Sequence, residues 1–436
     1  MSVKKNRAEI LNKLGIEKLN PMQEMATKAI SSGNEVVLLS PTGSGKTLAF
    51  LLPIIDQLSP ENEEVQVMIL VPTRELAIQI EQVAREMGSG YKIETVYGGR
   101  SGTKEKQDLK HRPAIIIGTP GRMADHLRRN AFGVNQIKVL VLDEFDKSLE
   151  IGFTEEMKEI IGALRWVDKK ILTSATQGVA IPEFVNLDNP SVLNHLSSGI
   201  PKLEIKQILS LNQHKSETLY QTLCGLGDQN GIVFCNLKDS INEVSNFLDE
   251  KGVAFGTFHG NMEQVDRERS LIKFRNGTHR ILLATDLAAR GIDIPELNYV
   301  IHYETPGKEH EFTHRNGRTA RMHASGAVYV LLSKHERPKE FVADLPVEDS
   351  LSGNQLPPTV WTTVFISGGR KDKISKGDIA GLFFKKGNLE KHELGIIEIK
   401  NDCAFVSVYS NRVKALLTQV NNQRLKKKKV RVTVLD

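Results

Sequence analysis

The chain is poor in cysteine and has no long apolar run, and these absences exclude several classes of protein. Its three cysteines are scattered over 436 residues without the spacing of metal ligands. We expect Cys224, Cys235 and Cys403 to be small hydrophobic residues, buried or partly buried. No segment approaches the roughly 20 apolar residues of a membrane span. The opening MSVKKNRAEI has no hydrophobic stretch after its lysines. We therefore expect a cytoplasmic, reduced protein without a secretory signal or a membrane partner.

What the chain does contain is the composition of a globular protein, 40% hydrophobic and 25% charged. At 436 residues it is too long for a single core, so two or three domains are expected. The charge is unevenly distributed. Residues 360–436 contain 16 lysines and arginines against 7 acids, a net +9, whereas residues 1–359 carry a net −4. This asymmetry predicts a polyanionic partner for the C-terminal part.

Short, continuous apolar runs recur along the chain in two series. Continuous apolarity is typical of strands buried on both faces, as in parallel sheets covered by helices. The two series therefore predict two α/β lobes, with ligands at the carboxyl ends of the strands, where polar residues cluster. The first series lies at 36–40, 67–72, 114–120, 139–144 and 171–176, and the second at 231–236, 253–260, 280–286, 299–304 and 327–332.

Two turn-rich segments, 196–203 and 346–359, are the candidate domain boundaries. They predict a first lobe at 1–200, a second lobe at 201–345 and a linker at 346–359. The remaining residues, 360–436, are expected to form a small α+β domain with strands near 363–369 and 403–410.

The segment SPTGSGKT (40–47) follows the first apolar run and opens an apolar helix. Its glycines let the backbone wrap a phosphate, and amide groups at a helix N-terminus point toward that phosphate. Lys46 is expected to reach the β- and γ-phosphates, and Thr47 to bind Mg²⁺. Ser40 breaks the strict GxxxxGK[ST] pattern, so the strand–loop–helix context supports the prediction. The predicted nucleotide-binding residues are Thr42, Gly43, Ser44, Gly45, Lys46 and Thr47.

The segment VLVLDEFD (139–146) ends a buried strand with three acids. Alone, these acids would most simply be solvated, but a phosphate loop in the same lobe favours a metal site. Asp143 is then expected to hold the Mg²⁺ that Thr47 contacts. Glu144 is expected to orient and deprotonate the attacking water.

Residues 15–321 closely resemble the DEAD-box RNA helicases of superfamily 2. The resemblance implies two RecA-like parallel-sheet lobes in tandem that bind ATP, Mg²⁺ and RNA. The matching motifs, in chain order, are GIEKLNPMQ (15–23), SPTGSGKT, PTREL (72–76), Gly98–Gly99, TPGR (119–122), DEFD (143–146), SAT (174–176), HGNMEQVDR (259–267), TDLAARGID (285–293) and HRNGRTAR (314–321).

The resemblance also implies a role for each matching residue. Gln23 would recognise the adenine base, and Asp293 would contact the ribose. Arg318 and Arg321 would act as arginine fingers on a γ-phosphate held by the other lobe. Hydrolysis would be coupled to RNA by Asp146, Ser174, Thr176 and His314. The RNA backbone would be contacted, without regard to base sequence, by Pro72, Thr73, Arg74, Gly99, Thr119, Gly121, Arg122, Gln264, Arg267, Thr285, Arg290 and Gly291.

Three residues depart from the family pattern. Phe145 replaces an alanine among the acids, Ala320 replaces a glycine between the two finger arginines, and Asn20 replaces a threonine. In addition, no aromatic residue lies a turn or two upstream of Gly15 to stack on adenine. We expect Phe145 to leave the chemistry intact and to alter its rate or coupling.

Residues 368–389 resemble the C-terminal domain of DbpA-type bacterial helicases, an RRM-like fold that recognises a hairpin of the large ribosomal RNA. Strand alternation places Phe405 and Tyr409 on one face, with Phe365 on a neighbouring strand. These aromatics are either a base-stacking platform or core residues, and the sequence leaves both open. We expect Lys385, Lys386 and Lys426–Lys429 to face RNA.

Together these patterns predict an RNA-stimulated ATPase that unwinds duplexes locally, on 23S ribosomal RNA or a precursor of the large subunit. Two alternatives remain open. One is a non-catalytic, ATP-gated RNA clamp, and the other is a DNA helicase, since the 2′-hydroxyl contacts that separate RNA from DNA are not visible in a motif.

Overall fold

The computed structural model describes residues 4–41, 43–99, 105, 107–175, 180–196, 203–210, 215–286, 294, 297–319, 326–348, 351, 353 and 355–435. The chain divides into two compact units. The first contains the N-terminal sheet, and the second contains another large sheet together with the C-terminal domain. Among the described residues no helix combines the length and the apolarity needed to cross a bilayer.

The first unit contains a parallel seven-stranded sheet in the order β3-β4-β2-β5-β6-β1-β7. Its strands are β1 Glu35–Leu39, β2 Val67–Leu70, β3 Ile93–Val96, β4 Ile115–Gly118, β5 Val139–Leu142, β6 Lys169–Ser174 and β7 Ser191–Asn194. Its helices are α1 Arg7–Leu14, α2 Pro21–Ser32, α3 Lys46–Asp56, α4 Arg74–Met87, α5 Pro120–Arg128, α6 Phe145–Ile151 and α7 Thr154–Ala163.

Both faces of this sheet are buried. Ile69 and Ile117 belong to the hydrophobic cluster on one face, and Met68 and Ile116 belong to the cluster on the other. Because neighbours along a strand point to opposite faces, every residue of β2 must be apolar. This explains the continuous apolar runs of the sequence.

The second unit contains another parallel seven-stranded sheet, in the order β10-β11-β9-β12-β13-β8-β14. Its strands are β8 Leu203–Ser210, β9 Gly231–Phe234, β10 Phe255–Phe258, β11 Ile281–Ala284, β12 Tyr299–His302, β13 Gly326–Ser333 and β14 Val347–Glu348. The helices of this part are α8 Ser216–Leu226, α9 Lys238–Glu250, α10 Gln264–Arg275, α11 Glu309–Asn316 and α12 Glu340–Ala343.

The C-terminal domain is a four-stranded antiparallel sheet, β16-β17-β15-β20, with two helices and a small hairpin. One face of the sheet, including Val364 and Val406, packs on both helices through Phe383 and Leu416. The predicted fold class, two RecA-like lobes and a small α+β domain, is thus confirmed. The elements are β15 Trp361–Ile366, α13 Lys376–Lys385, β16 Leu394–Ile399, β17 Ala404–Tyr409, α14 Val413–Val420, β18 Arg424–Leu425, β19 Lys428–Lys429 and β20 Val432–Val434.

The other face of this small sheet packs against α10 of the second lobe and the turn that follows it. Phe405 and Leu435 form a buried cluster with Ile272 of α10. The Ser407 hydroxyl donates to the carbonyl of Asn276 at 2.7 Å. Arg275 of α10 lies 2.9 Å from the carboxylate of Glu398. Apolar, hydrogen-bond and ionic contacts therefore all join the C-terminal domain to the end of α10.

Candidate nucleotide and nucleic-acid site

The phosphate loop lies between β1 and α3, as the sequence predicts. Gly43 and Gly45 have φ angles of +82° and +87°, in the left-handed region that glycine adopts most readily. A Cβ on Gly45 would also lie only 2.3 Å from Nε2 of Gln23. The second glycine of the motif is thus favoured by its backbone angle, and any larger residue there would displace the predicted base-recognising glutamine.

Lys46 is buried against its own loop. Its ammonium donates to the carbonyl oxygens of Ser40 and Pro41 at 2.5 and 3.0 Å. The Ser40 hydroxyl donates to the Ser44 hydroxyl at 2.7 Å, which in turn donates to the Pro41 carbonyl at 2.8 Å. Ser40, the residue that breaks the strict motif, therefore closes the loop. A phosphate ligand must replace these carbonyls around the ammonium.

Asn20 and Gln23 connect α2 to the phosphate loop. Their side chains and backbone amides form a reciprocal capping box at the helix N-terminus. The Asn20 amide also donates to the Ser44 carbonyl at 3.1 Å, and the Gln23 amide to the Gly45 carbonyl at 3.3 Å. The departure at Asn20 thus keeps the helix cap and adds a direct contact with the loop.

The acids follow β5, which is separated from β1 in the sheet only by β6. Asp143 is 3% exposed. Burial, then the neighbouring Glu144, raises the pKa of Asp143 to about 6, against the lowering effects of a Thr173 hydrogen bond and of the charge on Lys46. A buried carboxylate whose pKa is raised by burial and by a neighbouring acid is a candidate functional group.

The two residues after Asp143 differ in what is unusual about them: Glu144 in its backbone conformation and Phe145 in its burial. Glu144 has a φ of +48°, which is unusual for a residue other than glycine and is typical of functional sites. Phe145 is 2% exposed and packs into the hydrophobic cluster beneath the sheet. Its ring therefore belongs to the core and does not fill the space around the acids.

Thr173 of β6 is a site residue that the sequence analysis missed. Its hydroxyl donates to the carboxylate of Asp143 and accepts from the backbone amide of Glu144 at 3.2 Å. The only sequence signal was its position, directly before SAT. Two predicted coupling residues are also buried: Ser174, which follows Thr173, and Asp146, three residues after Asp143, are 0% and 1% exposed.

The predicted RNA contacts of the first lobe lie at the ends of β2, β3 and β4, which are neighbours in the sheet. Thr73 caps α4, and its hydroxyl accepts from the Leu76 amide at 3.2 Å. Thr119 occupies the same position before α5, with Pro120 as the first helical residue. Two helix N-termini therefore present amide groups at this edge, which suits phosphate groups. Pro72 and Gly121 flank these two caps in the chain.

The guanidinium of Arg74 lies against the glycine pair. A Cβ on Gly99 would lie 2.8 Å from Nη1 of Arg74, and one on Gly98 would lie 3.2 Å from Nη2. Gly99 also has a φ of +91°. The pair thus leaves room for the arginine side chain, and Gly99 could not be replaced without strain.

One edge of the first sheet therefore holds two groups of residues side by side. The ends of β5, β6 and β1 carry the acids, Ser174 and the phosphate loop, and the ends of β3, β4 and β2 carry the predicted RNA contacts.

In the second lobe, Arg315 is the residue that sequence reasoning missed. It is 1% exposed and makes a two-point ion pair with Asp286, just after β11. It also donates to Oδ1 of Asn236 after β9 at 2.7 Å and to the Glu304 carbonyl after β12 at 2.8 Å. One buried guanidinium thus holds the ends of three strands. Its position inside HRNGRTAR was the available signal.

The other predicted residues of this lobe lie on α10, after β11, and at and just beyond the end of α11. Thr285 directly precedes Asp286, and its amide donates to the Phe258 carbonyl at 3.2 Å. Gln264 begins α10, and the guanidinium of Arg267 lies 4.8 Å from the centre of the Phe258 ring. His314 lies in the last turn of α11, beside Arg315, and Arg318 is 6% exposed. Six predicted residues lie outside the described part of the chain: Thr42, Thr176, Arg290, Gly291, Asp293 and Arg321.

In the C-terminal domain the aromatic residues do lie on one sheet face, but that face is occupied. Phe405 is 8% exposed and packs on α10, with Phe365 beside it. The Thr363 hydroxyl is 2.7 Å from the Thr278 hydroxyl of the second lobe. Of the two interpretations that the sequence left open, the structure supports core packing for Phe405.

Three family models match the chain: the DEAD/DEAH box helicase over residues 20–183, the helicase conserved C-terminal domain over 214–323, and the DbpA RNA binding domain over 363–434. The ATP-dependent RNA helicase DbpA of Escherichia coli is 32% identical, over 98% of this chain and 96% of that protein. Its Bacillus subtilis namesake is 29% identical, over 97% and 96%. Among solved structures, Mss116p bound to single-stranded RNA and AMP-PNP matches with a TM-score of 0.66 at 26% identity, covering 76% of this chain and 73% of that one.

Proposed function

Because this chain belongs to the DEAD-box family of ATP-dependent RNA helicases, with the RNA-binding domain of its DbpA members, we propose that it opens short duplexes locally in large-subunit ribosomal RNA. Such a role in ribosome assembly would place it in the cytoplasm. The observation that carries the proposal is the shared edge of the first sheet, where the phosphate loop and acids adjoin two helix N-termini suited to phosphates. Nucleotide and RNA backbone can thus bind to one rigid element.

The first lobe fits Mg²⁺ that arrives with a nucleotide. Among the described residues no group of three or more histidines, cysteines and acids is placed to hold a metal alone. Mg²⁺ prefers one or two carboxylates together with phosphate oxygens and water, and Asp143 and Thr47 supply oxygen ligands of that kind. Bound there, the ion would neutralise charge on the phosphates. The raised pKa of Asp143 supports the fit, because the buried carboxylate lacks a full counter-charge.

We assign the steps of hydrolysis to residues of the chain. The ammonium of Lys46 moves from the loop carbonyls to the β- and γ-phosphates. Water attacks the γ-phosphorus, the bond to ADP breaks, and Glu144 accepts the proton of the water. The arginines of HRNGRTAR, Arg318 and Arg321, stabilise the charge that develops on the transferred group. Gln23 and Asp293 bind the base and the ribose.

RNA binding and hydrolysis are linked through the remaining residues. One RNA strand would be bound through its backbone by residues of both lobes. These are Thr73, Arg74, Gly99, Thr119, Gly121 and Arg122 in the first lobe and Gln264, Arg267, Thr285, Arg290 and Gly291 in the second. A strand held in this way is bent and cannot remain paired, so unwinding is local. The coupling of RNA binding to hydrolysis of the nucleotide would depend on Ser174, Thr176, Asp146 and His314.

The C-terminal domain directs this cycle to a structured RNA through its basic surface. Its sheet face packs on α10, so bases cannot stack on Phe405 while the domain is docked. Lys427 and Lys429 are exposed and have no ion pair among the described residues, whereas Lys426 and Lys428 pair with Asp378 and Asp372 at 2.9 and 2.8 Å. The hairpin β18–β19 and the neighbouring start of α13 therefore form the surface that we assign to RNA.

The test is strand displacement by the full chain on a short RNA duplex, with or without an attached hairpin of the large ribosomal RNA. We expect ATP-dependent displacement that is faster with the hairpin attached. The variant Lys427→Glu/Lys429→Glu should open both substrates at one rate, whereas Lys414→Glu, an exposed lysine on α14, should keep the preference. If the wild-type protein displaces no strand, the alternative of a non-catalytic RNA clamp remains. If Lys427→Glu/Lys429→Glu still prefers the substrate with the RNA hairpin, the assignment of the β18–β19 surface to RNA is rejected.

A further inference from the structure

Arg122, one of the proposed RNA contacts, is held by carboxylates on two sides. On its inner side, Nε and Nη2 donate to Oε2 of Glu105 at 2.9 and 2.6 Å. On its outer side, Nη1 donates to Oδ2 of Asp125 at 2.6 Å. Every nitrogen of this guanidinium is therefore engaged with an acid of the first lobe.

The inner acid is built into the lobe. The side chain of Glu105 is fully buried, and the same Oε2 atom lies 3.0 Å from Nε2 of buried His126. Burial alone would raise the pKa of Glu105, but the hydrogen bonds from His126 and Arg122 outweigh it and lower the pKa. Glu105 is thus an ionised group that fixes the direction of Arg122 from behind. No motif in the sequence pointed to it.

The outer acid differs in each of these respects. The Asp125 side chain is 26% exposed, and its second oxygen, Oδ1, accepts from Nε of Arg129 at 2.7 Å. The Arg129 side chain is 70% exposed. When the hydrogen bond between Asp125 and Arg122 breaks, Asp125 still has Arg129 as a partner and remains in contact with water. The Arg122–Asp125 pair is itself partly exposed, with side-chain exposures of 20% and 26%, so a phosphate can reach the guanidinium and replace Asp125.

We propose that Asp125 occupies, in the absence of RNA, the place of a backbone phosphate on Arg122, and that Glu105 is the positioning residue that keeps the guanidinium ready for the exchange. Phosphate and carboxylate both accept from a guanidinium fork, so one can replace the other. The inference rests on the proposed RNA contact of Arg122. The two acids then have opposite effects on RNA affinity: Asp125 competes with RNA for Arg122, whereas Glu105 holds Arg122 in the orientation that binds RNA.

The test uses the full chain, a fluorescent single-stranded RNA and AMP-PNP at one fixed salt concentration, with affinity measured by anisotropy. Asp125→Asn should bind RNA about threefold more tightly, as expected for the loss of a weak competing ion pair. Glu105→Gln should bind about tenfold more weakly, because the guanidinium loses its charged anchor. In steady-state ATPase assays, Glu105→Gln should raise the RNA concentration for half-maximal stimulation without lowering the rate at saturating RNA. A general loss of structure would also lower the rate at saturating RNA.

Double variants separate this idea from a plain charge effect. In an Arg122→Ala background the Asp125→Asn gain should disappear, because there is no guanidinium left to release. A gain that persists there would reject the exchange while leaving the RNA role of Arg122 intact. Unchanged RNA affinity in Arg122→Ala itself would reject that role, and with it this inference. If Glu105→Gln does not fold, the Asp125 cycle alone decides between these outcomes.

Discussion

The hydroxyl of Thr173 donates to the carboxylate of Asp143 and so joins the strand before SAT to the first acid of DEFD. The same oxygen accepts from the Glu144 amide. Two neighbouring strands thus fix both acids through one small side chain. The hydrogen bond also lowers the pKa of Asp143, in opposition to its burial.

Thr173→Val keeps the shape of this side chain and removes its hydroxyl. We expect the RNA-stimulated ATPase rate to fall about tenfold near neutral pH, since a hydrogen bond to a charged group contributes roughly 1.5–3 kcal/mol. The acid limb of the pH–rate profile should move to higher pH, because Asp143 loses an interaction that favours its ionised form. Thr173→Ser, which retains the hydroxyl, is the control, and equal loss in both variants would contradict the assigned role.

Asp143→Asn should stabilise the ligand-free first unit while abolishing hydrolysis. The folded pKa of Asp143, about 6, lies above its ordinary value of 3.8, so the buried charge destabilises the fold as pH rises through this interval. At pH 7.5 the gain in unfolding free energy is at most about 3 kcal/mol, and it should shrink toward zero near pH 4. Urea unfolding followed by fluorescence in a Trp361→Phe background, where Trp166 is the remaining tryptophan, measures it. Asp188→Asn, at an exposed acid, should show no such gain; a gain that does not depend on pH would contradict the explanation.

Gly99→Ala should weaken RNA binding about tenfold. The new Cβ would lie 2.8 Å from Nη1 of Arg74, at a φ of +91° that an alanine adopts only with strain of roughly 1–2 kcal/mol. Gly98→Ala is the matched control, because its contact distance is 3.2 Å and its backbone is not left-handed. Anisotropy with single-stranded RNA compares them, and the account fails here if the two variants bind equally.

Phe405→Ala should loosen the C-terminal domain from the second lobe. Phe405 packs with Ile272 and Leu435 on the docking face, whereas the domain's own core lies on the opposite face of the sheet. Removing a buried phenylalanine typically costs about 3–5 kcal/mol. Hydrogen exchange at the C-terminal end of α10 should therefore become faster. Phe384→Ala, at an exposed ring on α13, should leave exchange unchanged; exchange as slow in Phe405→Ala as in the wild type would argue against docking through this ring.

The sequence predicted the strands that are buried on both faces and missed several that are not. β3 and β7 form the two edges of the first sheet and have mixed or exposed residues, so neither gives a continuous apolar run. β14 is likewise an edge strand of only two residues. β8 lies beside it, and its mixture of buried, half-buried and exposed residues hides it from the same criterion.

At the site, the residues that belong to a sequence motif could be predicted. The residues that hold them in place through side-chain contacts could not. The glycines and Lys46 follow from the spacing of the phosphate loop. Thr173, Glu105 and Arg315 act through other side chains, and only the folded chain brings those partners together. Phe145 is the converse case, since a motif position places it among the acids while packing sends its ring into the core.

The most direct test of the account is the RNA-stimulated ATPase rate of the wild-type protein and of Glu144→Gln. If Glu144 accepts the proton of the attacking water, the variant should lose at least about 100-fold in rate while still binding RNA in the presence of ATP. Glu155→Gln, at an acid of α7, should behave as the wild type. Equal hydrolysis by the wild-type protein and Glu144→Gln would contradict the assignment of this edge of the sheet as the catalytic site.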